Sequence, residues 1–181
     1  MALPTLIIID MQRGMLEPAA GPDAPNRIAE LLQAWRSARA PVVHVRHISR
    51  SPGSPFAPGQ PGAQFQTALQ PLPQEHVVEK NVPDAFINSA LERWLRVRDL
   101  DSLVIVGVST NNSVEATART AGNLGFTTYV IADGCFTFAK TDYHGVLRSA
   151  EDVHAMALAN LQDEYAQVIE SQAALALIKQ L

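Results

Sequence analysis

Three separated groups of residues have the types and settings for hydrolytic chemistry. Asp10 directly follows Ile7-Ile8-Ile9 and is followed by Met11, Gln12 and Arg13. A carboxyl at the end of an apolar run, opening a polar loop, reads either as a turn acid or as a site residue. Lys80 ends the run His76-Val77-Val78-Glu79 and precedes Asn81-Val82-Pro83. Taken alone it is an ordinary lysine. If its strand neighbours that of Asp10, the two ends bring opposite charges to one rim, which holds the lysine protonated and leaves Asp10 poised to exchange a proton. The third group is the turn Ser109-Thr110-Asn111-Asn112-Ser113, which joins Val104-Ile105-Val106-Gly107-Val108 to a helical stretch beginning Val114-Glu115-Ala116. Ser113 then falls in a first helical turn, where backbone N–H groups lack intrahelical partners. Such a turn can hold an anion or an oxyanion, although a hydroxyl is also common at any helix start.

The elements that would position these groups follow from hydrophobic periodicity. Leu6–Ile9, Val42–Val45, Val77–Val78, Leu103–Val108, Tyr129–Ile131 and Val168–Ile169 are continuous apolar runs, as expected of strands covered on both faces. Between them lie helical periods: Ile28, Leu31, Leu32 and Trp35; Phe86, Ala90, Leu91, Trp94 and Leu95; Val153, Met156, Ala157 and Leu161. Asp84 after Pro83, Ser149 three residues before Asp152, and Ser171 have the pattern of helix N-caps. Alternation of this kind predicts a three-layer α/β/α fold around a six-stranded, mostly parallel open sheet of the Rossmann-like sort. Ligands bind such sheets beyond the carboxyl ends of the strands. A length of 181 residues predicts a single domain over 1–181.

One segment breaks the rhythm. Residues 48–75 hold six of the twelve prolines, which predicts an irregular stretch acting as a pocket lid or a subunit contact rather than a passive connection. The formal charge of -4 and the lack of any Lys/Arg run argue against nucleic acid and anionic membrane as partners, leaving a small-molecule substrate. Cys135 is the sole cysteine, so no internal disulfide is possible and a reducing, cytoplasmic setting is expected. The apolar N-terminus lacks a basic n-region and ends in an acid, unlike a secretory signal, and no apolar run has the length of a membrane span.

Together the three groups resemble the isochorismatase-like superfamily, also called the cysteine hydrolases. The resemblance covers nearly the whole chain. It rests on Asp10-Met11-Gln12, on Lys80 with Phe86 and Leu91 behind it, and on Gly107 to Ala118, which follows a Gly-Val-x-Thr-x-x-Cys-Val-x-x-Thr-Ala signature. Ala121-Gly122-Asn123-Leu124-Gly125-Phe126, Ala132-Asp133-Gly134-Cys135 and His154 with Leu158-Ala159 continue it. The resemblance implies a hydrolase in which Asp10, Lys80 and residue 113 are catalytic. It also implies a cis peptide between Val108 and Ser109, oxyanion binding by Ser109 and Ser113, and a homo-oligomer with segment 48–75 near its interface. Gln12, His47, Phe86 and Asn112 are expected to contact substrate.

The departure from the family pattern is Ser113, which stands where amidase members carry a nucleophilic cysteine. Isochorismatases also lack that cysteine and cleave a vinyl ether by acid catalysis. Four readings of Ser113 stay open: a natural serine in a hydrolase without a covalent intermediate, a serine nucleophile for an ester or amide, a cysteine exchanged for serine, or a binding protein without catalysis. Cys135 reads as a packed structural residue. The nicotinamidase metal site needs an acid near His44-Val45-Arg46-His47 that is not present, and His44 and His47 fall on opposite faces of a strand. Neither a metal nor another cofactor is expected.

Overall fold

The computed structural model describes residues 3–16 and 23–179. In chain order these form β1 (Thr5–Ile9), α1 (Ala24–Ser37), β2 (Val42–His47), β3 (His76–Lys80), α2 (Leu91–Arg96), β4 (Ser102–Val108), α3 (Glu115–Asn123), β5 (Thr127–Phe136), the short β6 (Lys140–Thr141) and β7 (Leu147–Arg148), α4 (Ala150–Leu161), β8 (Gln167–Ile169) and α5 (Ser171–Leu177). Six strands make one sheet in the order β3-β2-β1-β4-β5-β8, and all five pairings are parallel.

Period-two alternation along β1 divides the core. Leu6 and Ile8 pack toward Ile28, Leu31, Leu32 and Trp35 of α1 and Ala174 of α5. Ile7 and Ile9 pack toward Leu91 and Leu95 of α2, Ala118 and Ala121 of α3 and Leu161 of α4. The sheet is therefore covered on both faces, which is why its strands read as unbroken apolar runs. From β1 the chain builds outward to β2 and β3, then returns to lay β4 on the other side of β1. The order of travel reverses between β1 and β4, so a crevice opens at their carboxyl ends.

Gly107 allows the two strands to meet there. It pairs with Ile9 at φ +128°, and a Cβ added to it would lie 2.1 Å from the Ile9 carbonyl oxygen. No other residue fits that position without moving the strands.

Four local expectations are corrected. Asp84 begins no helix: its carboxylate accepts from the Phe86 amide at 2.8 Å and closes a turn, and regular helix starts only at Leu91. Phe86 and Ala90 therefore precede α2. Ser171 is the first residue of α5 rather than its cap. Its amide and hydroxyl both donate to Asp133, at 2.7 and 2.6 Å, from the part of β5 where five residues oppose two of β4. Met156 does not join the core and is 64% exposed. Ser149 does cap α4, accepting from the Asp152 amide at 3.1 Å. The pair β6–β7 is an antiparallel hairpin absent from the sequence reading.

Candidate active site

Asp10 is the first residue beyond β1. Its backbone turns into the left-handed region at φ 55°, while its amide still donates to Val45 of β2 at 2.9 Å. Asp tolerates this conformation better than most residues, and the turn lifts the carboxylate out of the strand line into the crevice. Lys80 comes from β3, which is not a neighbour of β1: β2 lies between them. The long lysine side chain spans that intervening strand and its ammonium donates to Asp10 Oδ2 at 2.7 Å. The opposite charges thus meet by side-chain reach and not by strand adjacency.

Ser113 enters from the other side. The Val108–Ser109 peptide is cis, and Thr110–Val114 form one turn of π-helix closed by the Asn112 and Val114 amides donating to the Ser109 carbonyl, at 3.1 and 3.2 Å. This turn places Ser113 Oγ 3.4 Å from the Lys80 ammonium. Asp10, Lys80 and Ser113 are 3%, 4% and 6% exposed. Burial raises the Asp10 carboxyl above its ordinary value, opposed by the Lys80 charge and hydrogen bond and by the Ser113 hydroxyl. The cluster thus holds a buried acid near a proton exchange, a fixed positive charge, and a hydroxyl on a turn with first-turn amides.

The other expected contacts divide. His47 ends β2, with its imidazole edge against the Phe56 ring at 6.4 Å. Burial, and then the Lys80 charge, push its pKa down, so the ring is neutral near pH 7. Asn112 is exposed beside Ser113. Gln12 is fully buried and its amide is engaged elsewhere: Nε2 donates to the His47 and Ala63 carbonyls at 2.9 and 3.0 Å, and Oε1 accepts from the His47 amide at 2.8 Å. It fastens β2 and the proline-rich segment to the chain beyond Asp10, leaving little of the amide for a substrate. Phe86 packs into the core against Phe126, with ring centroids 5.8 Å apart.

The proline-rich segment is ordered by the same region. Arg13 and Gly14 donate to the Gln64 and Gly62 carbonyls at 2.9 and 3.0 Å, and Gln66 donates to Met11 at 3.1 Å. Ala57, Ala63, Phe65 and Leu69 are buried beneath it. The segment thus wraps the backbone that follows Asp10.

Three supports of the site were not foreseen as contacts, although Thr110 and Thr117 are the two threonines of the Gly107 to Ala118 signature. Thr110 Oγ1 bonds His154 Nδ1 at 2.8 Å, tying the Ser113 turn to α4. Asn111 Oδ1 accepts from the Thr137 hydroxyl at 2.5 Å. Thr117 Oγ1 accepts from the Ala85 amide at 3.0 Å, joining α3 to the loop after Lys80. His154 lay within the family motif, but its partner was not foreseeable.

Cys135 is fully buried in β5 and its thiol is pushed up to about 12 by burial, so it stays protonated and unreactive. His44, on the opposite sheet face from His47, bonds Glu75 at 2.8 Å. Among the described residues no group of three or more His, Cys, Asp or Glu side chains is placed to hold a metal ion, and no helix is long and apolar enough to cross a membrane.

Comparison with known proteins identifies the family and the fold. The Isochorismatase domain model matches residues 4–173. A solved isochorismatase-family structure from Chromobacterium violaceum superposes with a TM-score of 0.94 at 49% identity, covering 99% of this chain and 95% of that one. The isochorismatase family protein YrdC of Bacillus subtilis (strain 168) is 32% identical over 168 residues, 91% of this chain and 90% of its own. Streptothricin hydrolase of Streptomyces noursei is 36% identical over 124 residues, 66% of this chain and 45% of its own length. With the family model spanning all but the ends, and a relative at this identity aligned over nine-tenths of both chains, the protein belongs to the isochorismatase family.

Proposed function

We propose that this chain hydrolyses a C–N or C–O bond of a small molecule, an amide, ester or vinyl ether, using Asp10 as the proton-transfer group. Members of the family are hydrolases, and so is this chain; the substrate and the residue roles are the proposal. The observation that carries it is the Lys80 ammonium, buried and in contact with both Asp10 and Ser113 at 2.7 and 3.4 Å.

For an amide or ester, the Asp10 carboxylate takes a proton from water as the water oxygen bonds to the carbonyl carbon. Negative charge then develops on the carbonyl oxygen, and this reading assigns its binding to the Ser109 and Ser113 amides. Asp10 returns the proton to the departing nitrogen or oxygen as the C–N or C–O bond breaks. For a vinyl ether the same carboxyl, in its protonated form, protonates carbon; water adds to the resulting cation and gives a proton back to Asp10, and the hemiketal so formed breaks its C–O bond to release a carbonyl compound and an alcohol. Lys80 fixes the Asp10 carboxyl in place through its 2.7 Å contact. Asn112 and His47 border the space in which substrate would sit.

A second reading makes Ser113 the nucleophile, and the Lys80 contact favours it, because an ammonium at that distance stabilises an alkoxide. Turnover assays on a panel of small amides, esters and isochorismate separate the two. Under the water mechanism Ser113→Ala keeps activity within about tenfold, while Asp10→Asn loses at least about a hundredfold. A Ser113→Ala variant as inactive as Asp10→Asn makes the serine covalent. Binding without turnover across the panel refutes both. A single buried cysteine and the absence of a membrane-length helix among the described residues fit the proposal that the protein works in the cytoplasm.

A further inference from the structure

A cavity of about 650 Å³ opens at the amino ends of the strands, the opposite end of the sheet from the catalytic crevice. Its walls are the residues that lead into β2, β3 and β4 and the carboxyl-terminal parts of α1 and α2. The length of β3 alone puts roughly 13 Å between this end of the sheet and Lys80, so the cavity is separate from Asp10 and Ser113. Its volume is that of a small-molecule site.

Three arginines and one acid line it: Arg36, Arg39, Arg98 and Glu75. The acid is spent. Glu75 Oε1 accepts from Arg36 Nε at 2.7 Å, and Oε2 meets Arg36 Nη2, the Leu72 amide and His44 Nε2 at 2.8 Å each. Arg36 is thereby neutralised, whereas Arg39 and Arg98 form no ion pair among the described residues. Two uncompensated positive charges therefore stand on one cavity of a chain whose formal charge is -4. Arg98 is held in place: its guanidinium carbon lies 4.6 Å from the Trp94 ring centroid and Nη1 donates to the Trp94 carbonyl at 3.1 Å, while the same indole stacks on His76 at 4.5 Å. Four of its five N–H donors are left over. Arg39 follows α1 in the left-handed region at φ 54°, where a helix end ordinarily takes glycine. Of the five non-glycine residues with positive φ among those described, it alone is neither Asp nor Asn. The rest of the wall is largely apolar, with Val42, Leu72, Leu100 and the Trp94 indole.

We propose that this cavity binds a small organic dianion, a phosphate monoester with an apolar body, whose phosphate lies on Arg39 and Arg98 and whose body lies on Val42, Leu72, Leu100 and Trp94. Charge selects the class. Two guanidiniums without counter-charges match a phosphate monoester, which carries nearly two negative charges at neutral pH. A cation finds no free acceptor, because both Glu75 oxygens are taken. An inorganic ion leaves the apolar wall unused, and a neutral apolar molecule leaves the guanidiniums unused. The site is a second ligand site, distinct from the one that performs hydrolysis.

The two tryptophans give a direct test by 15N–1H correlation spectra of the whole protein. Trp94 lines the cavity, whereas Trp35 is fully buried with its indole N–H donating to the Pro4 carbonyl at 2.7 Å. Titration with phenyl phosphate at low salt should move the Trp94 indole and Arg98 amide signals saturably, with a Kd below about 1 mM. Inorganic phosphate, benzoate and benzyl alcohol should each bind at least about tenfold more weakly, and added salt should weaken phenyl phosphate binding. Arg39→Glu and Arg98→Glu, both at exposed positions, should each weaken it at least about tenfold; an unmoved Trp35 indole signal shows that the variants are folded. No saturable shift at Trp94 overturns the proposal. Equal binding of inorganic phosphate overturns it by reducing the cavity to an adventitious charge patch, and equal binding of benzyl alcohol removes the role of the arginines. Shifts confined to the Asn112 and Ser113 amides place the ligand at the catalytic turn and overturn it as well.

Discussion

The Lys80–Asp10 pair makes a sharp prediction because its two members are buried together. At 2.7 Å, with side chains 0% and 4% exposed, their attraction at an effective dielectric constant of 20 is about 6 kcal/mol, set against a desolvation penalty of several kcal/mol for each ion. Lys80→Met leaves an unpaired buried carboxylate and should cost about 3–5 kcal/mol near neutral pH, and Asp10→Asn strands the ammonium at comparable cost. The double variant Asp10→Asn/Lys80→Met removes both charges together and should lie within about 2 kcal/mol of the parent, giving a coupling of at least about 3 kcal/mol. The pH dependence has a definite sign. In Lys80→Met the largest influences opposing burial are gone, with only Ser113 and His47 left against it, so the Asp10 carboxyl, already above its ordinary 3.8, is raised further in the folded state. A raised folded value means that stability is retained below the unfolded value and lost as pH rises through the folded one. The Lys80→Met penalty should therefore shrink toward acid. Urea unfolding of the four proteins at acid and neutral pH measures every term, and hydrolysis assays on the same samples add the functional one: the double variant regains stability but not activity. Additive single-variant costs, or a Lys80→Met penalty independent of pH, refute the reasoning.

Two further outcomes concern the frame of the site. Glu75 is held at about 2 because the Arg36 guanidinium, the Leu72 amide and His44 outweigh its burial; relative to 4.5 this is stability of about 3 kcal/mol, present above pH 4.5 and lost as pH falls toward 2. Glu75→Gln should cost about that much at pH 7 by urea unfolding and nothing near pH 2, and a pH-independent cost excludes this origin. Gly107→Ala should destabilise by more than about 4 kcal/mol or prevent soluble expression, since its Cβ would meet the Ile9 carbonyl at 2.1 Å; a thermal midpoint within a few degrees of the parent rules out so close an approach of β1 and β4.

The sheet was legible because its inner strands, β1, β2 and β4 above all, are covered on both faces and appear as apolar runs that periodicity detects, while the edge strands β3 and β8 are partly exposed and leave only short ones. The helix around residue 86 was misread for a matching reason: Phe86 and Leu91 both belong to the core, and a buried turn followed by a short helix places apolar residues much as one longer helix would. Met156 fails differently. Its spacing fits the inward stripe, but α4 is apolar on both sides, so periodicity cannot say which side meets the core. At the site, residue types and strand ends raised Asp10, Lys80 and Ser113 as candidates and the family resemblance joined them, and the fold brings their side chains together. Sequence position could not show that β2 separates β1 from β3, because strand order depends on crossovers and not on the strands themselves. Nor could it show that Gln12 turns its amide into the backbone of β2 and the proline-rich segment.

The presence of a buried ion pair also bears on whether Ser113 marks a hydrolase or a protein that only binds. A fold gains little from such a pair, because two well-packed apolar side chains of similar volume serve as well or better. Neither Asp10 nor Lys80 holds an element together in the way that Gln12 joins residues 11–14 to β2 and the proline-rich segment. Their side-chain hydrogen bonds are to each other and, through Lys80, to Ser113. If the double variant proves as stable as the parent, the pair's charges serve no structural purpose, and a carboxyl raised by burial beside a fixed ammonium is accounted for by proton transfer. Under the proposed mechanism water is then the attacking group beside Ser113, and Asp10 is the group that moves the proton.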